Sequence, residues 1–179
     1  MPPHCDTRDG PVVKACRKAL ESGNVNYALI WIPEESEPEL KAAFDRTFRA
    51  RKEGREIQEI ADDWFFETAI RLHRAGEGEP YTGLKPAGLD EGPVVPRAER
   101  AISAEDPADP IQFILHTVEE DLQNRFKHVM NTKKYDVNDV RAGRAFIQAY
   151  INFVVYAHHL YLSVTSGGGH KKGGHSHET

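Results

Sequence analysis

Phe146-Ile-Gln-Ala-Tyr150-Ile-Asn-Phe-Val-Val155-Tyr-Ala-His-His-Leu160-Tyr-Leu162 is the stretch whose spacing decides the fold class. Its apolar residues recur at steps of three and four, the period of a helix and not of a strand. Val140, Ile147, Ile151, Val154, His158 and Leu162 fall on one face of a helix running from about 137 to 164. Phe146, Tyr150, Phe153, Ala157 and Leu160 make a second stripe. A helix apolar on so much of its surface is expected at the centre of a bundle.

Working outward, the same period continues upstream. A helix from about 109 to 129 displays Ile111, Ile114, Leu115, Val118, Leu122 and Phe126 on one side. Another, from Gly54 to about Arg74, is expected to bury Ile57, Ile60, Ala61, Trp64, Phe65, Thr68 and Leu72. Before it, Ser36 and Glu39 have the spacing of a capping box ahead of Leu40, Phe44, Thr47 and Phe48. Val25 to Ile32 is a short apolar run, readable also as a strand, that stops at Pro33. A first helix runs from Pro11 to about Ser22, with Val12, Cys16 and Leu20 on its apolar stripe. The fold expected is therefore all-α, a single-domain bundle of five or six helices over residues 1–165. Residues 76 to 96 interrupt it with a Gly/Pro-rich stretch in which Tyr81 and Leu84 have apolar surface to bury, so an ordered loop folded over the bundle is expected. The tail 166–179, rich in Gly and His, has no means of forming a core and is expected to be disordered.

At 179 residues the chain is long enough for a core without disulfides or a structural metal. Acidic residues outnumber basic ones, 28 to 23, and the basic ones are scattered, which argues against nucleic acid as a partner. Two cysteines do not make a disulfide framework; Cys16 reads as a buried core thiol and Cys5 as the chemically available one. Without a secretory start or an apolar run approaching roughly 18 residues, the expectation is a soluble cytoplasmic protein with no membrane partner. Self-association into a homo-oligomer is compatible with all of this.

Chemistry concentrates at the start: His4-Cys5-Asp6-Thr-Arg-Asp9-Gly10-Pro11 brings imidazole, thiol and two carboxylates together ahead of a helix. These are donors for nickel, copper or zinc. The N–H groups of the helix beginning at Pro11 are expected to favour the anionic forms of Cys5 and Asp9. The alternative is plain capping, with Asp9 or Gly10 as the cap, Pro11 as the first helical residue, Asp6 in a turn, and His4 and Cys5 frayed. His73, ending its helix beside the Gly/Pro loop, is expected to face a site roofed by Tyr81 and Lys85, with Glu67 contributing from the same helix. The competing readings are a helix-terminal cation for His73 and a surface pair with Arg71 for Glu67. The metal set is thus His4, Cys5, Asp9, Glu67 and His73. His170, His175 and His177 of the tail add a flexible group of donors. A terminal copper or nickel site on Pro2-Pro3-His4 is excluded, because Pro3 has no amide proton to give up.

His4-Cys-Asp-Thr-Arg-Asp-Gly-Pro-Val-Val13, Trp64-Phe-Phe-Glu-Thr68 and Pro80-Tyr-Thr-Gly-Leu-Lys-Pro-Ala-Gly88 resemble an uncharacterised prokaryotic family carrying a domain of unknown function. That resemblance covers most of the chain before the tail and implies that these segments form one recurring unit. The seven residues His4 to Gly10 also resemble the metal hook of nickel superoxide dismutase, His-Cys-Asp-x-x-Cys-Gly. This second resemblance implies His4 imidazole and terminal amine, and Cys5 thiolate with the following amide nitrogen, as nickel ligands. Asp9 stands where the hook has its second cysteine, and the match requires cleavage after Pro3.

The function expected is a soluble helical metal-binding protein. A metal- or Cys-dependent enzyme, of superoxide-dismutase type or with Cys5 as nucleophile and His73 as acid/base, is the first alternative. A structural or interaction module without a metal is the second.

Overall fold

The computed structural model describes residues 3–166 of the chain; the expectations for the tail, its three histidines included, lie outside the described residues. The described residues contain seven α-helices, three short 3-10 turns and no strand beyond one isolated bridge. The protein is all-α. No helix among them is long and apolar enough to cross a membrane.

Two compact units divide the chain, Met1–Gly92 and Pro93–Thr179. In the first, a 3-10 turn (Pro3–Asp6) leads into α1 (Pro11–Ser22), which starts with Pro11 in its first turn and ends at Gly23, where φ is +70°. Then come the short α2 (Asn26–Leu29), a 3-10 turn (Glu34–Ser36), α3 (Glu37–Ala50), a 3-10 turn (Arg51–Glu53) and α4 (Arg55–Glu77). The run that was readable as a strand is therefore helical. Ser36 makes no capping bond: the preceding 3-10 turn leaves it at φ −92°, ψ −7°, whereas a capping side chain needs extended backbone to reach the next turn's N–H groups.

One core cluster fills this unit. Val12, Val13, Cys16 and Leu20 of α1, Leu40 and Phe44 of α3, and Phe65, Phe66 and Ile70 of α4 are all buried in it. The start of α4 departs from expectation, since Ile57, Ile60 and Trp64 are exposed and burial along this helix begins at Phe65. Helical period alone says which residues share a face, not how far a neighbouring helix extends along it. Tyr81 and Leu84 of the Gly/Pro-rich segment pack against the cluster, so the loop is ordered as expected.

The second unit holds α5 (Val94–Ala104), α6 (Ala108–Thr132) and α7 (Val140–Thr165). α5 falls partly in the stretch read as loop; Pro96 sits in its first turn, where the missing N–H costs no intrahelical bond. α7 is capped by Asp139, whose carboxylate accepts the Ala142 N–H at 3.0 Å. It pairs with α6, and Phe126 and Phe153 bring their rings to 5.7 Å. The expectation that α7 forms the centre of a bundle is corrected here: only Ala149 of this helix is buried, and the core cluster is made from residues 5 to 84. His158, placed with the core by its spacing, is exposed.

Candidate functional site

The N-terminal turn is held down residue by residue. The Thr7 hydroxyl donates to the His4 carbonyl at 3.1 Å and the Gly10 N–H donates to the Thr7 carbonyl at 3.0 Å. Gly10 is required by close approach, because a β-carbon there would lie 2.0 Å from the His4 carbonyl oxygen. The loop then pairs alongside: the Lys85 N–H donates to the Asp6 carbonyl at 2.8 Å and the Arg8 N–H to the Lys85 carbonyl at 3.0 Å. Arg8 forms a two-bonded pair with Asp63 of α4, at 2.7 and 2.6 Å. His4 and Cys5 are thus built into the fold and not frayed.

This turn rests on the last turns of α4. Asp6 and Arg74 make a buried ion pair, Arg74 Nε to Asp6 Oδ1 at 2.7 Å, with both side chains about 5 % exposed or less. Arg74 Nη1 also reaches Glu77 Oε2 at 3.1 Å, while Glu77 Oε1 lies 3.4 Å from His73 Nε2. The other ring nitrogen of His73, Nδ1, is 2.7 Å from the Trp31 carbonyl. A carbonyl only accepts, so Nδ1 carries the proton, and in the neutral ring Nε2 presents its lone pair. That nitrogen is buried and has no hydrogen-bond partner among the described residues.

Cys5 is buried, with its sulfur 3.6 Å from His4 Nε2. Burial, followed by the Glu77 charge, pushes its thiol up to about 11, with Arg74 opposing. The expected thiolate is corrected on this point: desolvation and a facing carboxylate outweigh any pull from the helix start. Cys16 is pushed up to about 12 by burial alone, as a core thiol should be.

Of the five residues read as ligands, His4 and Cys5 adjoin each other in the turn, and His73 lies on the last turns of α4 beside Glu77, whose charge acts on Cys5. Asp9 does another job, accepting the Gly88 N–H at 2.9 Å and so tying the loop to the turn; that bond holds its carboxyl below the usual range. Glu67 lies in a polar cleft of about 330 Å³ with Glu39, Arg46, Trp64, Arg71 and Tyr81. Arg46 stacks over Trp64 there, and Arg71 pairs with Glu39, not with Glu67 as the surface-pair reading had it. Tyr81 lines this cleft. Sequence reading missed Arg74 and Glu77, although His73 and Glu77 at i,i+4 carry the signal of two side chains on one helix face. Among the described residues no three His, Cys, Asp or Glu side chains are grouped closely enough to hold a metal ion as they stand.

Residues 9–156 match a family of unknown function (DUF6448). The chain belongs to this family. The match takes in His73, Arg74 and Glu77 on α4 and the loop, and begins after His4, Cys5 and Asp6. No curated protein and no solved structure matches the chain.

Proposed function

We propose that this family member binds a transition metal ion between its N-terminal turn and the end of α4, with His4 and Cys5 supplying ligands from the turn and His73 and Glu77 from the helix. The observation that carries the reading is the His73 ring. Its Nδ1 is committed to the Trp31 carbonyl, and its Nε2 is buried without a hydrogen bond beside a carboxylate. Metal-ligating imidazoles are held in this way, one nitrogen anchored to a carbonyl and the other aimed at the ion. Imidazole, thiolate and carboxylate together suit zinc first, with nickel and copper as competitors. The bound ion supplies a positive centre that would favour the Cys5 thiolate against its burial. Because the donors do not converge without it, binding brings their side chains together and releases the Cys5 proton. Asp9, bonded to the loop, and Glu67 stay outside this set, and with Asp9 in place of the hook's second cysteine the turn offers one sulfur donor.

Calorimetric titration with zinc, nickel and copper tests this on a full chain in which His170, His175 and His177 are replaced by alanine. Submicromolar binding of at least one ion is expected, weakened at least 100-fold by Cys5→Ser and at least 10-fold by His73→Ala, with Cys16→Ser unchanged. Binding no tighter than millimolar, or equal affinity in Cys5→Ser, refutes the site and leaves the N-terminal turn as a structural clasp.

A further inference from the structure

We propose that the α6–α7 hairpin is a self-association surface, on which a second copy of the chain packs antiparallel to complete a four-helix bundle. The starting point is how little the pair buries between its own helices. Pro110 and Val129 are the buried residues of α6 and Ala149 that of α7. With 3.6 residues per turn, counting from the facing Val129 and Ala149, and with the Phe126–Phe153 ring contact to fix the handedness, one side of the hairpin can be assigned. Leu115, Phe126 and Met130 on α6 share it with Ile147, Tyr150 and Val154 on α7. All six are exposed, from 39 % for Met130 to 63 % for Leu115.

At roughly 200 Å² for a large apolar side chain, these half-exposed residues present about 600 Å² to water. Tyr161 on α7, 64 % exposed, extends the same face and takes it close to the roughly 800 Å² per partner of a standard stable interface. Helices of 25 and 26 residues give the face two matched edges, so a second hairpin can lie along its full length. A C2 contact uses one patch twice, which a self-complementary apolar face allows.

Charge selects the direction of packing. The end of the hairpin that carries the turn holds Lys127, Lys133, Lys134, Arg141 and Arg144 against Asp136 and Asp139. Residues 145–165 contain no Asp, Glu, Lys or Arg. Parallel packing sets two basic ends against each other, whereas antiparallel packing lays each basic end toward the uncharged 145–165 stretch of the partner's α7.

Sedimentation of the full chain in chelator, from about 1 to 100 µM, is expected to give a species of twice the 20.2 kDa chain mass. Ile147→Glu is expected to raise the dissociation constant at least 100-fold with the helical circular dichroism retained. Should that variant lose helicity, the milder Leu115→Gln, at the rim, still has to weaken the dimer at least several-fold. Spin labels on Lys134→Cys read the direction: about 35 Å or more between the two labels is expected, since each helix is about 37 Å long. A monomer at every concentration, or a dimer indifferent to both substitutions, overturns the proposal. A monomer that partitions onto anionic vesicles, or one whose face is covered by another part of the same chain, does so equally, and labels within about 20 Å of each other overturn the antiparallel arrangement.

Discussion

Arg74 is the residue on which the N-terminal turn depends. It enters a buried pair with Asp6 and holds Glu77 on its far side. Removing it leaves a carboxylate out of water with no counter-charge, so Arg74→Met is expected to destabilise the fold by about 3–5 kcal/mol in chemical denaturation. Asp6→Asn introduced together with it is expected to recover much of that loss, because the orphaned charge has gone; a double variant as unstable as the single one would contradict the account. The thiols make a second prediction. Both Cys5 and Cys16 titrate later in the folded chain, at about 11 and about 12, than an unfolded thiol near 9. The unfolded state therefore loses its thiol protons first, and these groups make stability fall as pH rises from about 9 to about 12. In Cys5→Ser the alkaline decline is expected to be shallower, as measured by denaturant midpoints across that range. Among these groups, Cys5 and His73 stood out in the sequence by residue type. Arg74 did not, because an arginine at a helix end is ordinarily solvated, and only the approach of Asp6 from 68 positions away makes it structural.

At the scale of elements, the Gly/Pro-rich segment is held to the N-terminal turn by backbone pairing along Asp6–Arg8 and Lys85 and by the side-chain acceptor Asp9. Its attachment is therefore local and separable from the core contacts of Tyr81 and Leu84. Asp9→Ala is expected to speed amide exchange at Gly88 while leaving α1 and α4 protected. If Gly88 exchanges no faster in that variant, Asp9 is not the loop's anchor. Helix α3 teaches the converse lesson about local signals. Ser36 and Glu39 have the capping-box spacing, yet a 3-10 turn running directly into the helix removes the extended residue that a cap needs. α5 went unread because Pro96 suggests a break, although proline in a first turn is compatible with helix.

For the whole molecule, the distribution of burial predicts how the chain comes apart. The core cluster draws on residues 5 to 84, so a fragment of residues 1–92 is expected to be helical and to melt cooperatively by itself. A fragment of residues 93–179 is expected to melt broadly when dilute and to gain stability with concentration; equal and concentration-independent melting of both would refute this difference. Helix content, the all-α class, the ordered loop and the burial of Cys16 were legible in the amino-acid sequence, because periodicity, proline and glycine act over a few residues at a time. Which apolar faces are covered was not legible: α7 has the most apolar sequence of any helix here, yet only one of its residues is buried. Nor was it legible that Asp9 serves the loop or that Arg74 meets Asp6, since each depends on chain segments that only folding brings together, whereas the His73–Glu77 pair at i,i+4 carried a local signal. Local composition determined the elements, and long-range packing alone decided which side chains meet, because a helix displays a face without specifying what lies against it.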